Sequence, residues 1–302
     1  MLNTEIMHKL NDVNFPVAIQ PLDDANIPDG EYYKIMRTDT DVFMGMCKSR
    51  YKPLKHMDAF GGAIQQMQGG GLDFTDAKID VSSYEYGAMA KMEIMLPKHH
   101  VKIGNHDLYL KYVARNSYNG RWKFQSFFGW LNQVCFNTLV TGQKLAYSAD
   151  RHTLHFDVNQ VNVKIKNAVK AVTDETENFK KWWDKPVDDT KVVELYKKTL
   201  CNMKHNDMKI LAGANNVNQK QLNNLMEMYG NEVTHIKGSG DYGRNGAKGT
   251  LWCVFQSATE WSTHLRDIVN VDKTKMHIVQ EKRQAQVRKM VQSKEWKELE
   301  TA

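Results

Sequence analysis

Asn119-Gly120 restricts this chain more than any other dipeptide, because it tolerates the positive φ angles of a tight hairpin turn and stands between two β-prone runs. Before it, Leu108 to Val113 mixes aliphatic and aromatic side chains; after it, Trp122 to Phe128 does the same. Further on, Leu131, Val134, Cys135, Thr138 and Leu139 recur at steps of three and four, the spacing of one buried helix face. With the residues just before it, the stretch Tyr112 to Leu139 therefore reads as strand, turn, strand, helix. Lys111, Arg115, Arg121 and Lys123 are interleaved with Tyr112, Tyr118, Trp122 and Phe124 on this ribbon. Cations that hold phosphates and rings that stack on bases are what a strand of nucleic acid needs. The same residues also suit an antiparallel sheet with its rings in the core and its charges in water.

Charge is unevenly spread. Met1 to Ala90 carries 8 Lys+Arg against 13 Asp+Glu, Lys91 to Arg151 carries 9 against 3, and Lys273 to Lys297 carries 8 against 2. Two basic blocks on an otherwise acidic-to-neutral chain suggest a localised positive surface that attracts a polyanion, although each block also suits a solvated face. The four cysteines lie far apart (Cys47, Cys135, Cys201, Cys253) and read as reduced, mostly buried residues. No apolar run is long enough for a bilayer, and the N-terminus lacks the basic-then-apolar order of a signal peptide. A cytoplasmic protein without a membrane partner is expected.

Along the chain, Tyr32 to Arg37 and Val42 to Cys47 flank Thr38-Asp39-Thr40-Asp41 as a first hairpin. Leu54, Met57, Phe60, Ile64 and Met67 then mark a helix that Gly69-Gly70-Gly71 stops. Ala77 to Ser83 and Tyr86 to Leu96 read as strands ended by Pro97 and a His99-His100 turn. From Val158 the apolar positions Val161, Ile165, Ala168, Val172, Phe179 and Trp183 describe a long amphipathic helix, ended by Pro186. Shorter helices are expected over Lys191 to Met203 and Gln219 to Tyr229, the latter stopped by Gly230. A loop from Lys237 to Gly249 leads to an apolar helix from Thr250 to about Leu265. Lys275 to Leu299 reads as a basic amphipathic arm for a partner or DNA. The expected fold class is α+β: residues 1–156 an antiparallel sheet domain with hairpins and packed helices, 157–302 mainly helical with a basic C-terminal helix.

Enzymatic and metal motifs are poorly represented. Gly238, Gly240 and Gly243 match G-x-G-x-x-G without the strand and helix that a pyrophosphate cradle needs. A flexible loop whose cations Lys237, Arg244 and Lys248 close over a phosphate backbone suits them better. His99, His100 and His106, and the pair His152 and His155, lack a completing carboxylate or cysteine at ligand spacing. No nucleophile elbow occurs, and Asp39 with Asp41 reads as turn chemistry. No catalytic residue, metal or cofactor is expected.

Several segments, in order, carry a resemblance. They are Arg37-Thr38-Asp39-Thr40, Phe43-Met44-Gly45, Tyr51, the Asn116-Ser117-Tyr118-Asn119-Gly120 turn, and Val134-Cys135-Phe136-Asn137-Thr138-Leu139. Arg151-His152-Thr153 and Trp252 to His264 follow. Together they resemble the phage/plasmid-like protein family known as domain of unknown function 932, over roughly Glu31 to Leu265. Phe136 stands where the family pattern has a polar residue, which argues against Cys135 as a site. The resemblance implies a phage, prophage or conjugative-element origin and a soluble intracellular protein, but no activity. The strand, strand, strand, helix order with a basic hairpin is similar to the core of phage single-strand annealing proteins.

The function expected from these features is single-stranded DNA binding or annealing in recombination or replication, by a homo-oligomer. Lys111, Arg115, Arg121, Lys123, Arg151 and His152 would hold the backbone, and Tyr118 and Trp122 would stack on bases. Lys237, Arg244, Lys248, Arg283 and Arg288 are secondary basic candidates. The competing expectation is a phage protein that blocks a host defence or replication protein through the basic tail, Trp182-Trp183 and Trp296.

Overall fold

The computed structural model describes residues 4–22, 30–132, 138–139, 147–150, 175–202, 217–238, 249–264 and 273–302. The chain has antiparallel sheets in its first half and mostly helices in its second, the α+β class expected. It forms two compact units that interleave in sequence. Met1–His100, Tyr109–Gly129 and Gln143–Thr173 make the first; Val101–Leu108, Trp130–Gly142 and Asp174–Ala302 make the second.

In the first unit, helix α1 (Thr4–Asn11) buries Ile6 and Leu10, one turn apart. A three-stranded antiparallel sheet follows, in the order β1 (Val17–Pro21), β2 (Tyr32–Arg37), β3 (Val42–Lys48). The expected hairpin is β2–β3, and Asp41 closes its turn at φ 51°, in the left-handed region that Asp tolerates better than most residues. Ile35, Met44 and Cys47 pack with Phe15, Ala88 and Tyr118 in a core, while Phe43 and Met46 stand exposed. Helix α2 (His56–Gly69) buries Phe60, Ile64 and Met67 and ends at the expected glycines.

A six-stranded sheet comprises β4 (Lys78–Tyr84), β5 (Met89–Ile103), β6 (His106–Ser117), β7 (Phe124–Asn132), β8 (Thr138–Leu139) and β9 (Tyr147–Asp150). The first five run in that order across the sheet, with β9 also paired to β7. Two expectations are corrected here. Strand β5 passes through Pro97, His99 and His100 to Ile103: the alternation of more and less buried side chains shifts its phase by one at Leu96 and Pro97, where the even-numbered residues cease to be the more buried set, and then resumes. The helix expected from Leu131 fails at both ends: Leu131 lies in β7 opposite Thr138, and Trp130 opposite Leu139. The β-prone run that starts at Phe124 overrides the three-and-four spacing of the apolar residues; residues 133–137 lie outside the described ones.

The second unit contains α3 (175–184), α4 (Asp189–Thr199), α5 (Gln219–Gly238), α6 (Leu251–Thr263), α7 (Lys273–Val291) and α8 (Lys294–Thr301). Pro186 does end α3 and bridges to Thr250, while Asp188 caps α4 by accepting from the Thr190 amide at 2.8 Å. Most of the helix over Val158 to Trp183 lies outside the described residues. Gly230 does not stop α5: a glycine within a helix costs only about 1 kcal/mol, and α5 recovers more by packing Leu222, Leu225 and Tyr229 into the interior.

The expected arm is also corrected. It is two helices, parted where Ser293 caps α8 by accepting from the Trp296 amide at 3.1 Å. Val287, Met290, Trp296 and Leu299 are buried, with the Trp296 ring 5.0 Å from that of Trp182. Among the described residues, no helix is long and apolar enough to cross a membrane.

Candidate nucleic-acid interface

The central hairpin turns where expected, with Gly120 at φ 71°. Its side chains divide by alternation: Arg121 and Lys123 point to solvent, whereas Trp122 is 3% exposed. Tyr118 is 1% exposed, and its hydroxyl accepts from the His56 amide at 3.1 Å. Neither Tyr118 nor Trp122 presents a face on which a base can stack, so these two expectations are corrected. Arg115 is likewise buried, its guanidinium 5.9 Å from the ring centroids of Trp122 and Phe127. Lys111 is engaged with Glu93 at 3.1 Å. These side chains hold the sheet together rather than face a ligand.

Of the remaining candidates, Arg283 lies 4.5 Å over the Trp261 ring and donates to the Trp261 carbonyl at 3.0 Å, a structural role. Arg288 is half-buried on α7, and Lys237 falls within α5 rather than in a loop. Arg151, His152, Arg244 and Lys248 lie outside the described residues.

Beside Arg121 is a feature that the sequence presents only as the start of a strand. Glu85, Tyr86 and Gly87 form a single tight turn between β4 and β5, with φ angles of 51°, 58° and 101°. Two successive non-glycine residues in the left-handed region cost about 1 to 2 kcal/mol each. Such strain persists only where the surroundings over-determine it.

Here they do. The Glu85 carboxylate accepts from Asn119 Nδ2 at 2.7 Å and pairs with the Arg121 guanidinium. The Tyr86 carbonyl accepts from Arg37 Nη1 at 3.5 Å. The Gly87 carbonyl lies 2.9 Å from His56 Nε2. A carbonyl only accepts, so Nε2 carries the His56 proton, and Nδ1 takes a hydrogen bond from Asn116 Nδ2 at 2.9 Å. The same Asn116 amide donates to the Leu54 carbonyl at 2.8 Å, which fixes its orientation.

The held turn displays one side chain, Tyr86, at 81% exposure. Close by, Arg37 forks onto Asp39 at 2.8 and 3.0 Å and rests 4.1 Å over the Phe15 ring. That hydrogen-bonded fork holds the Asp39 carboxyl below its usual range. Strand β3 abuts the hairpin turn at Gly45, where a Cβ would meet the Asn119 Cα at 2.8 Å, so only glycine fits. An exposed ring, two arginines and Lys123 are thus presented from three turns of one unit, with Glu85 and Asp39 as the counter-charges that orient the arginines. The signal in the sequence was an aromatic residue followed by glycine between two strands, a pattern too common to single out alone.

Among the described residues, no three His, Cys, Asp or Glu side chains gather as a metal site. No curated protein and no solved structure matches the chain. The family described as a domain of unknown function, DUF932, matches residues 44–295, which take in most of β3, the strained turn, the hairpin and all but the end of the helical unit, and the chain belongs to that family.

Proposed function

We propose that this chain binds single-stranded nucleic acid at the Tyr86 turn, as part of strand annealing or protection in recombination or replication. The observation that carries this reading is the 81% exposed Tyr86 on a strained backbone fixed through Arg121, Asn119, Arg37 and His56. Every base offers a π-face to a ring, and each stacked base is worth about 1 to 3 kcal/mol without sequence preference. A ring held on a fixed turn loses less freedom on binding than one on a mobile loop. Lys123 supplies charge that attracts a phosphate backbone, and Arg121 and Arg37, neutralised and oriented by Glu85 and Asp39, can offer it further N–H donors.

Most of the features that favoured a host-protein inhibitor are used internally: Trp182 and Trp296 are buried, Trp183 is half-buried, and the tail belongs to the helical unit.

The test is fluorescence anisotropy with single- and double-stranded oligonucleotides across a salt series. Tyr86→Ala is expected to weaken single-strand binding by about 5- to 150-fold with an unchanged salt slope and melting temperature. Lys123→Ala is expected to reduce the slope by about 1. No binding by the native chain at low salt, or full affinity in Tyr86→Ala, overturns the proposal.

A further inference from the structure

Strand β3 and the segment after it carry a second set of groups. Lys48, Arg50, Lys52 and Lys55 are all exposed, four cations in eight residues with no acidic residue among them. Paired residues of an antiparallel ladder share a face, and the register places Phe43 beside Met36, Met46 beside Lys34, and Lys48 beside Tyr32. Phe43 is 54% and Met46 57% exposed, and the Lys48 ammonium lies 4.9 Å over the Tyr32 ring. One sheet face thus bears Phe43, Tyr32 and Met46 with Lys34 and Lys48, and continues into Arg50 and Lys52.

We infer that the outer face of the β1–β2–β3 sheet, with the Lys48–Lys55 segment, is a second contact region for the same single strand, so that the bound nucleic acid spans more than the Tyr86 turn. The inference rests on the proposed single-strand binding. Charge complementarity selects the occupant: the face and segment carry Lys34, Lys48, Arg50, Lys52 and Lys55 against Glu31, which pairs with Lys48 at 3.5 Å. A flat ring and a thioether among these cations suit unstacked bases along a phosphate chain. The two regions belong to one rigid arrangement, because Gly45 seats β3 against Asn119 and the Tyr51 hydroxyl, in the middle of the basic segment, donates to the Ser117 carbonyl at 3.2 Å. From Gly45 the strand reaches Lys48 in about 10 Å, at roughly 3.3 Å per residue.

The test uses the full chain and oligothymidylates of graded length, read by fluorescence anisotropy. Phe43→Ala is expected to leave the shortest oligomers bound as before and to weaken those near the upper end of a ~4–16-nucleotide site by about 5- to 150-fold. The double variant Arg50→Ala, Lys52→Ala is expected to lower the salt slope by about 1.4, on the long oligomers alone. All three side chains are exposed, so the melting temperature should hold. If Tyr86→Ala is impaired while Phe43→Ala and the double variant match the native chain at every length, the extension fails and the Tyr86 site stands. If no variant changes any affinity, both readings fail. Equal binding of polyglutamate, weakened equally by Phe43→Ala, would reassign the face to an acidic polypeptide and overturn the inference.

Discussion

Glu93 in the sheet and Glu232 in the helices are the same side chain largely withdrawn from water, and they end in opposite states. Burial alone would raise the Glu93 carboxyl, but ammonium groups of Lys91 at 2.8 Å and Lys111 at 3.1 Å more than offset it and bring it down to about 2. Glu232, on α5 and 7% exposed, is raised by burial and by the like charge of Glu260 on α6, up to about 7. Charge is what the strand ladder stabilises, and a retained proton is what the helix pair requires.

The signs of the pH dependence follow. The Glu93 contribution is fully present above the ordinary value of 4.5 and is lost as pH falls towards 2. The Glu232 contribution is fully present below 4.5 and is lost as pH rises through about 7. Acid should therefore weaken the sheet unit, and mild base the helical unit.

The largest effect that would break this contrast comes from Glu93→Gln. It leaves two ammonium groups in a mostly buried position, and the expected loss is about 2 to 4 kcal/mol, under the full-burial figure because a quarter of the Glu93 side chain still meets water. Thermal melting at pH 7 reads it; an unchanged midpoint would show that the Lys91–Glu93–Lys111 cluster contributes nothing net. Next comes Glu232→Gln, which removes the need to hold a proton. Melting should rise at pH 8, by roughly 1 to 3 kcal/mol, and change little at pH 5. A gain of equal size at both pH values would mean that packing, not protonation, is responsible.

The smallest effect sharpens the contrast within the sheet unit, where strain and not charge marks the ligand site. Tyr86→Gly relieves a left-handed conformation and is expected to stabilise the fold by about 1 kcal/mol while weakening single-strand binding. A variant that loses stability and affinity together would make Tyr86 a structural residue.

Much of this was legible where local chemistry and tertiary packing agree. The β2–β3 hairpin, α2 with its closing glycines, and the Asn119-Gly120 turn all follow from residues a few positions apart. The failures lie where a distant partner decides. Leu131 and Thr138 have helical spacing, but their pairing across β7 and β8 makes them strand residues. Tyr118 and Trp122 look like stacking rings in a list of residues; only the β3 strand and α2 that close over Tyr118, and the Ser117 clasp on the Trp122 backbone, show them as interior.

The basic segment Lys48–Lys55 was hidden for an arithmetic reason. It sits in a stretch whose net charge is negative, and a sum over ninety residues erases a cluster of eight. Tyr86 was hidden for a conformational one, since two left-handed residues leave no trace in composition.

All seven tryptophans are described, and none stands open to solvent: Trp122, Trp130, Trp182, Trp252, Trp261 and Trp296 are buried and Trp183 is half-buried. Five of the seven belong to the helical segments of the second unit. Intrinsic emission will therefore be blue-shifted and will track the melting of the helices closely. For a strand docking on Tyr86, the same signal is nearly blind: quenching titrations will understate the affinity, and a flat trace is no sign of an empty site.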